Sequence, residues 1–173
     1  NICLGPQSGI SATDGTYQTV IGYQVVGSGD NTFTFGNSGS DTTCSYGSTT
    51  WSNPSDERIK KNISTSTAGL SFINDLRPAI FNYKLKGELD VEHRAYEQDS
   101  TEAMQNSLTN HGFIAQEVKA VIDSHSEIKD GFDGWSINET DNYQRVGQTA
   151  FIPMLVKAVQ ELSAKVTALE AQI

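Results

Sequence analysis

Ser55-Asp56-Glu57-Arg58-Ile59-Lys60-Lys61-Asn62-Ile63 divides this chain into two parts with different means of folding. All 12 lysines and arginines among the 173 residues lie at or beyond Arg58, and before Ser55 the only charged side chains are Asp14, Asp30 and Asp41. Residues 1–54 also hold 9 of the 15 glycines and are rich in Ser, Thr and Asn. Such a composition buries little apolar side chain per residue, so this part is not expected to fold alone as a compact monomer. Residues 55–173 carry 12 basic and 18 acidic residues with regular apolar spacing, as expected of a small α+β domain. The boundary itself offers a hydroxyl, Ser55, and an amine, Lys60.

The net charge of −9 argues against nucleic acid or an anionic membrane as the main partner, because phosphate binding needs clustered positive charge. Arg58, Lys60 and Lys61 form the only basic cluster, too short for a binding stripe. No apolar run approaches the roughly 20 residues of a membrane span, so no membrane insertion is expected. Cys3 and Cys44 make no disulfide framework, and no Cys/His spacing suggests a metal or cofactor. A chain that starts at Asn1 without a signal peptide reads as a fragment.

Within residues 1–54 a short motif ending in Gly recurs as Cys3-Leu4-Gly5, Val20-Ile21-Gly22, Thr34-Phe35-Gly36 and Ser45-Tyr46-Gly47. Turn signals such as Asp14-Gly15, Gly29-Asp30-Asn31 and Asn37-Ser38-Gly39 separate the copies. Val20 to Val26 and Thr32 to Phe35 are strand candidates. Short strands punctuated by Gly at intervals of 17, 14 and 11 residues predict a Gly-rich β-stem, intertwined or β-roll-like, whose units stack along the chain or against identical chains. A flexible linker is the plain alternative. Tyr17, Tyr23, Phe33, Phe35, Tyr46 and Trp51 argue against it, since linkers are poor in aromatics.

In residues 55–173, Pro54-Ser55-Asp56-Glu57 reads as a helix start with Ser55 as N-cap. Ala68 to Leu76 predicts a short helix ended by Arg77-Pro78. Ile80 to Leu85 alternates like a strand, and Lys86 to Leu108, polar and acidic, reads as a mobile loop. Ala115 to Ile122 predicts an amphipathic helix with Ile114, Val118, Val121 and Ile122 on one face. Tyr143 to Val146 is a brief strand signal. The last element, about 148–173, is the clearest. Ile152, Leu155, Val159, Leu162, Val166, Leu169 and Ile173 alternate spacings of three and four, the seam of a coiled-coil-like helix. Ile/Val at one seam position and Leu at the other favours parallel dimers by itself.

Three stretches together resemble one family, the S74 peptidase-like intramolecular chaperone domain at the C-terminus of phage tail fibres and tailspikes. They are Ser55 to Ile63, then His111-Gly112-Phe113-Ile114-Ala115-Gln116-Glu117-Val118, then Leu155-Val156-Lys157-Ala158-Val159-Gln160-Glu161-Leu162. The Gly-punctuated segment resembles the stalk and head repeats of trimeric phage fibres and adhesins. The resemblance implies that 55–173 assembles a homotrimer, helps the β-stem of 1–54 to intertwine, and then cuts just before a serine. Ser55 and Lys60 match the family's serine–lysine dyad, which implies a scissile bond at Pro54–Ser55. The mature stem would belong to the virion tail fibre, after assembly in the host cytoplasm and release of the chaperone part, and could meet a host receptor or glycan.

A serine hydroxyl attacks a carbonyl only when a base takes its proton, and a lysine is that base only when neutral. Arg58 and Lys61 lie near enough in sequence to add positive charge; Asp56, His111 and Glu117 are candidates for supporting roles. The spacing poses a geometric problem. Positions five apart differ by about 140° around a helix and lie on opposite faces of a strand. The dyad therefore needs a bend between its members or a lysine from a neighbouring chain, and the expectation adopted is that assembly brings it into register. Pro54 restricts its own backbone and holds Asn53 extended. Three functions follow: a self-cleaving chaperone, a non-cleaving trimerisation clamp in which Ser55 is a cap and Lys60 a surface lysine, and a receptor- or glycan-binding tip using Tyr17, Tyr23, Phe35 or Trp51.

Overall fold

The computed structural model describes residues 1–172. By internal contacts the chain divides into Asn1–Ser64 and Thr65–Ile173. The first unit is a four-stranded sheet in the order β1 (Ile2–Leu4), β2 (Gln18–Tyr23), β3 (Thr32–Asn37), β4 (Ser40–Ser45). β1, β2 and β3 are parallel, with Leu4 opposite Ile21 and Ile21 opposite Phe35. Three of the four repeats thus stack in register. Gly5, Gly22 and Gly36 form a ladder with φ of 125°, 136° and 140°. A Cβ on Gly5 would lie 2.2 Å from the Gly22 carbonyl oxygen, and one on Gly22 2.0 Å from that of Gly36. Only glycine allows both the dihedral and the approach. The fourth repeat departs from this pattern. The Asn37-Ser38-Gly39-Ser40 turn sends β4 back antiparallel, so Gly47 lies beyond the ladder.

Alternation sorts the two faces of this sheet. Val20 and Thr34 are fully buried with Gln18 and Val25, while Ile2, Leu4 and Phe35 on the other face are exposed. Phe33, Phe35 and Trp51 pack edge-on or tilted with centroids 5.5–5.8 Å apart. Both cysteines are free thiols, Cys3 exposed and Cys44 buried.

The second unit is mixed α and β. It contains α1 (Leu70–Asp75), β5 (Ala79–Phe81) paired with β6 (Asn110–Gly112), α2 (Ala115–Ser124), β7 (Trp135–Ile137) paired with β8 (Gln144–Val146), and α3 (Ile152–Glu170). Its core joins Phe72 of α1, Val118 and Ile122 of α2, Ile128 and Phe151. Phe72 has no exposed surface, so Phe72→Ala is expected to destabilise this unit by about 3–5 kcal/mol. Urea unfolding followed by tryptophan fluorescence checks this, and a midpoint equal to the parent's would contradict it.

Two expectations are corrected here. Ser55 does not cap a helix; Asp56 caps a three-residue 3-10 turn, Glu57–Ile59, instead. The segment after Lys86 is an ordered excursion rather than a mobile loop. Leu85 and Ala103 form a β-bridge at its base, the Lys86 N–H donates to the Glu102 carbonyl at 2.8 Å, and the Lys86 ammonium meets Glu102 at 2.5 Å and Glu97 at 3.6 Å.

α3 begins with Pro153 in its first turn, where a missing N–H costs nothing. It carries two stripes. Met154, Ala158 and Glu161 face the second unit: Ala158 is buried, Met154 packs on the core, and Glu161 Oε2 accepts the Leu70 N–H at 2.9 Å. That carboxylate caps α1, whose N-cap, Gly69, has no side chain. The predicted seam lies about 100° round the helix. Ile152, Leu155, Val159, Leu162, Val166 and Leu169 are 46–64% exposed. Ile173, the last seam position read from the sequence, lies outside the described residues.

Candidate functional site

The segment before Ser55 is anchored. The Thr43 and Ser52 backbones exchange hydrogen bonds of 2.9 Å, and Thr42 Oγ1 donates to Asn53 Oδ1 at 3.0 Å. Trp51 to Asn53 is thereby held along β4 up to Pro54. The segment after Ser55 is held differently. Asp56 Oδ1 accepts the Arg58 N–H at 2.8 Å, the Ile59 N–H donates to the Asp56 carbonyl at 3.2 Å, and the Lys60 N–H donates to the Glu57 carbonyl at 3.0 Å. Asp56 and Lys60 at the two ends are extended.

One turn of tight helix between two extended residues reverses the chain. Lys60 Nζ donates to Ser55 Oγ at 2.6 Å. The spacing of five, which suits neither a regular helix nor a strand, closes through this turn within a single chain. Of the two routes open to the dyad, a bend or a neighbouring chain, this single chain displays the bend.

Asp56 and Arg58 make a two-pronged ion pair, Nε to Oδ1 and Nη2 to Oδ2, both 2.8 Å. The guanidinium and its backbone N–H hold the Asp56 carboxyl below the usual carboxylate range, and the carboxylate in turn strengthens the charge on Arg58. Arg58 is therefore committed to Asp56. Pro54, Ser55, Lys60 and Lys61 are exposed.

The other predicted site residues belong to the second unit. His111 lies in β6 opposite Ile80, with its side chain exposed. Glu117, in the first turn of α2, forms a two-pronged pair with Arg77 at 2.9 and 2.6 Å. Arg77 lowers the Glu117 pKa, and the pair ties the first turn of α2 to the segment that follows α1. Among the described residues no group of three or more His, Cys, Asp or Glu could hold a metal ion, and no helix is long and apolar enough to cross a membrane.

Residues 55–127 match the Peptidase_S74 family, described as chaperone of endosialidase. The match supports reading this stretch as an S74 chaperone domain. No curated protein and no solved structure matches the chain. The S74 match opens on Ser55, so it contains the whole Ser55–Lys60 turn together with α1 and α2, and it stops before α3. The family name refers to a peptidase.

The matched stretch also holds a cluster outside the predicted site residues. His125, which ends α2, is buried, with Nδ1 2.9 Å from Glu127 Oε1 and Nε2 2.8 Å from Asp75 Oδ2. Glu127 was visible two residues away; Asp75, 50 residues upstream, carried no signal. Glu127 first and then Asp75 raise the His125 pKa above its ordinary 6.5. Because the folded value exceeds the unfolded one, this stabilisation is complete below about pH 6.5 and is lost as pH rises through the folded value. Thermal melts should show the parent losing stability above that pH relative to His125→Gln. Parallel curves for the two proteins would contradict the assignment.

Proposed function

We propose that residues 55–173 are the chaperone part of a phage tail fibre or tailspike, which trimerises, helps the β-rich 1–54 region to intertwine, and then cuts the Pro54–Ser55 bond. The observation that carries this reading is the 2.6 Å contact between Lys60 Nζ and Ser55 Oγ, at the point where the S74 match begins. Neutral Lys60 takes the Ser55 hydroxyl proton as Oγ attacks the Pro54 carbonyl carbon. The C–N bond breaks, the Ser55 nitrogen receives that proton from Lys60, and an ester joins Pro54 to Ser55 Oγ. Water hydrolyses the ester, leaving a Pro54 carboxyl group and restoring the hydroxyl on a new N-terminal Ser55.

Lysine is a base only when burial or nearby positive charge favours its neutral form. Lys60 is exposed in the single chain. Assembly is the step that would bury it, so cutting follows trimer formation, for which the exposed α3 seam is the proposed contact. The stem would remain in the virion and could meet a receptor or glycan, while the chaperone part leaves after assembly in the host cytoplasm.

Freshly expressed parent protein should run as fragments of 54 and 119 residues, and Ser55→Ala as one intact chain. A single intact species for both would favour the second reading, a non-cleaving trimerisation clamp, which the exposure of the dyad supports. Because the turn closes within one chain, mixed trimers of Ser55→Ala and Lys60→Ala chains should stay uncut. Cleavage in the mixture would restore the neighbouring-chain mechanism.

A further inference from the structure

Arg58 sits two residues from the lysine assigned as base, and a cation so placed would be expected to help keep that amine neutral. The geometry gives it another role. Both prongs of the guanidinium are taken by Asp56, at 2.8 Å each. Asp56 in turn shapes the bend, because its Oδ1 caps the turn through the Arg58 N–H. The capping carboxylate therefore stands one short turn before Lys60, where an unpaired anion would stabilise the ammonium and withhold the base. A neutral N-cap such as Asn satisfies the same N–H without that charge.

We propose that Arg58 is a positioning residue whose work is to occupy the Asp56 carboxylate, so that Asp56 shapes the Ser55–Lys60 turn without acting as a counter-ion to Lys60. This rests on the reading of Lys60 as the base for cutting at Ser55. No residue of the turn is buried, so the charges bearing on Lys60 in this unit are those of the segment itself, Asp56, Glu57, Arg58 and Lys61. Of the more distant acids, Asp30 is engaged by the Thr16 N–H at 2.8 Å and Gln18 Nε2 at 3.1 Å, and Asp41 lies on β4 opposite Gly36. Asp14 completes the set. None shares the turn. Asp56 is the acid whose pairing state Arg58 controls, and Glu57 is unchanged by any of the substitutions below.

The pair is exposed, with Arg58 88% and Asp56 47% accessible, so its worth to global stability is small. Its consequence is local and electrostatic, and it is read in the pH dependence of cleavage. The full-length chain is refolded from denaturant across a pH series, and the rate of appearance of the 119-residue fragment is followed on gels. Arg58→Ala is expected to move the rate profile to higher pH, with slower cutting on the rising limb and an unchanged plateau. Arg58→Lys, which keeps a cation for Asp56, should lie between parent and Arg58→Ala. The double variant Asp56→Asn/Arg58→Ala, which keeps a capping oxygen and removes both charges, should return towards the parent's profile.

An Arg58→Ala profile that superimposes on the parent's overturns the proposal. So does a loss of rate that is equal at every pH, or a double variant that stays shifted; each would make the pair merely structural. These outcomes leave the cleavage reading standing. Failure of the parent itself to cut at any pH would instead remove Lys60 as a base, and the role of Arg58 with it.

Discussion

Lys60→Arg is expected to slow self-cleavage by about 10²–10⁴-fold, the usual contribution of a positioned general base. The substitution keeps a long cationic side chain that can still donate to Ser55 Oγ, so it preserves the resting contact of 2.6 Å in kind. It removes the single property that the chemistry needs. Guanidinium stays protonated throughout the accessible pH range, whereas an amine can be emptied of its proton. The refolding time course on gels reads the rate, and the native mass of the Lys60→Arg assembly should equal that of the uncut Ser55→Ala assembly. A Lys60→Arg protein that cuts at the parent's rate would show that the 2.6 Å contact is a surface hydrogen bond and nothing more.

Leu162→Asp is expected to abolish assembly. Leu162 stands in the middle of the α3 seam and is about half exposed in the single chain, so the change costs the monomer little. In a trimer it would remove one buried leucine from every chain, each contributing about 1.5–3 kcal/mol, and set three carboxylates against one another. Association should weaken by more than about 10³-fold. Light scattering after size exclusion is expected to give three chains for an uncut Ser55→Ala protein and one for Ser55→Ala/Leu162→Asp, with circular dichroism showing the remaining fold retained. Ile/Val and Leu alternation along the seam favours two strands when taken alone, so a mass of two chains would contradict the trimer. Without assembly to bury Lys60, Leu162→Asp alone should also stay largely uncut.

What could be read before the structure was known depended on whether the information was periodic or long-range. The seam from Ile152 to Leu169 was legible because a spacing of three and four survives in the sequence whatever the helix packs on. Its second stripe, Met154, Ala158 and Glu161, was not, because Glu161 acquires meaning only from the Leu70 N–H, 91 residues away. The glycine repeat was legible at intervals of 17 and 14, since loops absorb the difference while Gly5, Gly22 and Gly36 still stack. The interval of 11 gave no warning that β4 reverses. The segment after Lys86 looked mobile because its order comes from Lys86 with Glu97 and Glu102, scattered charges without a period. Ser55 and Lys60 stood out by type, but their contact was not derivable. It depends on Asp56 taking the cap that Ser55 was expected to take, which frees the serine hydroxyl for Lys60.

The claim at the centre is that Ser55 cuts the bond on its own N-terminal side. Intact-mass spectrometry of the refolded parent tests it most directly, since the mass fixes the bond as well as the event. The expected result is two species, residues 1–54 ending in the Pro54 carboxylate and residues 55–173 beginning with a free Ser55 amine, both absent from Ser55→Ala. A single mass for the uncut chain, or a cut at any other bond that persists in Ser55→Ala, would contradict it.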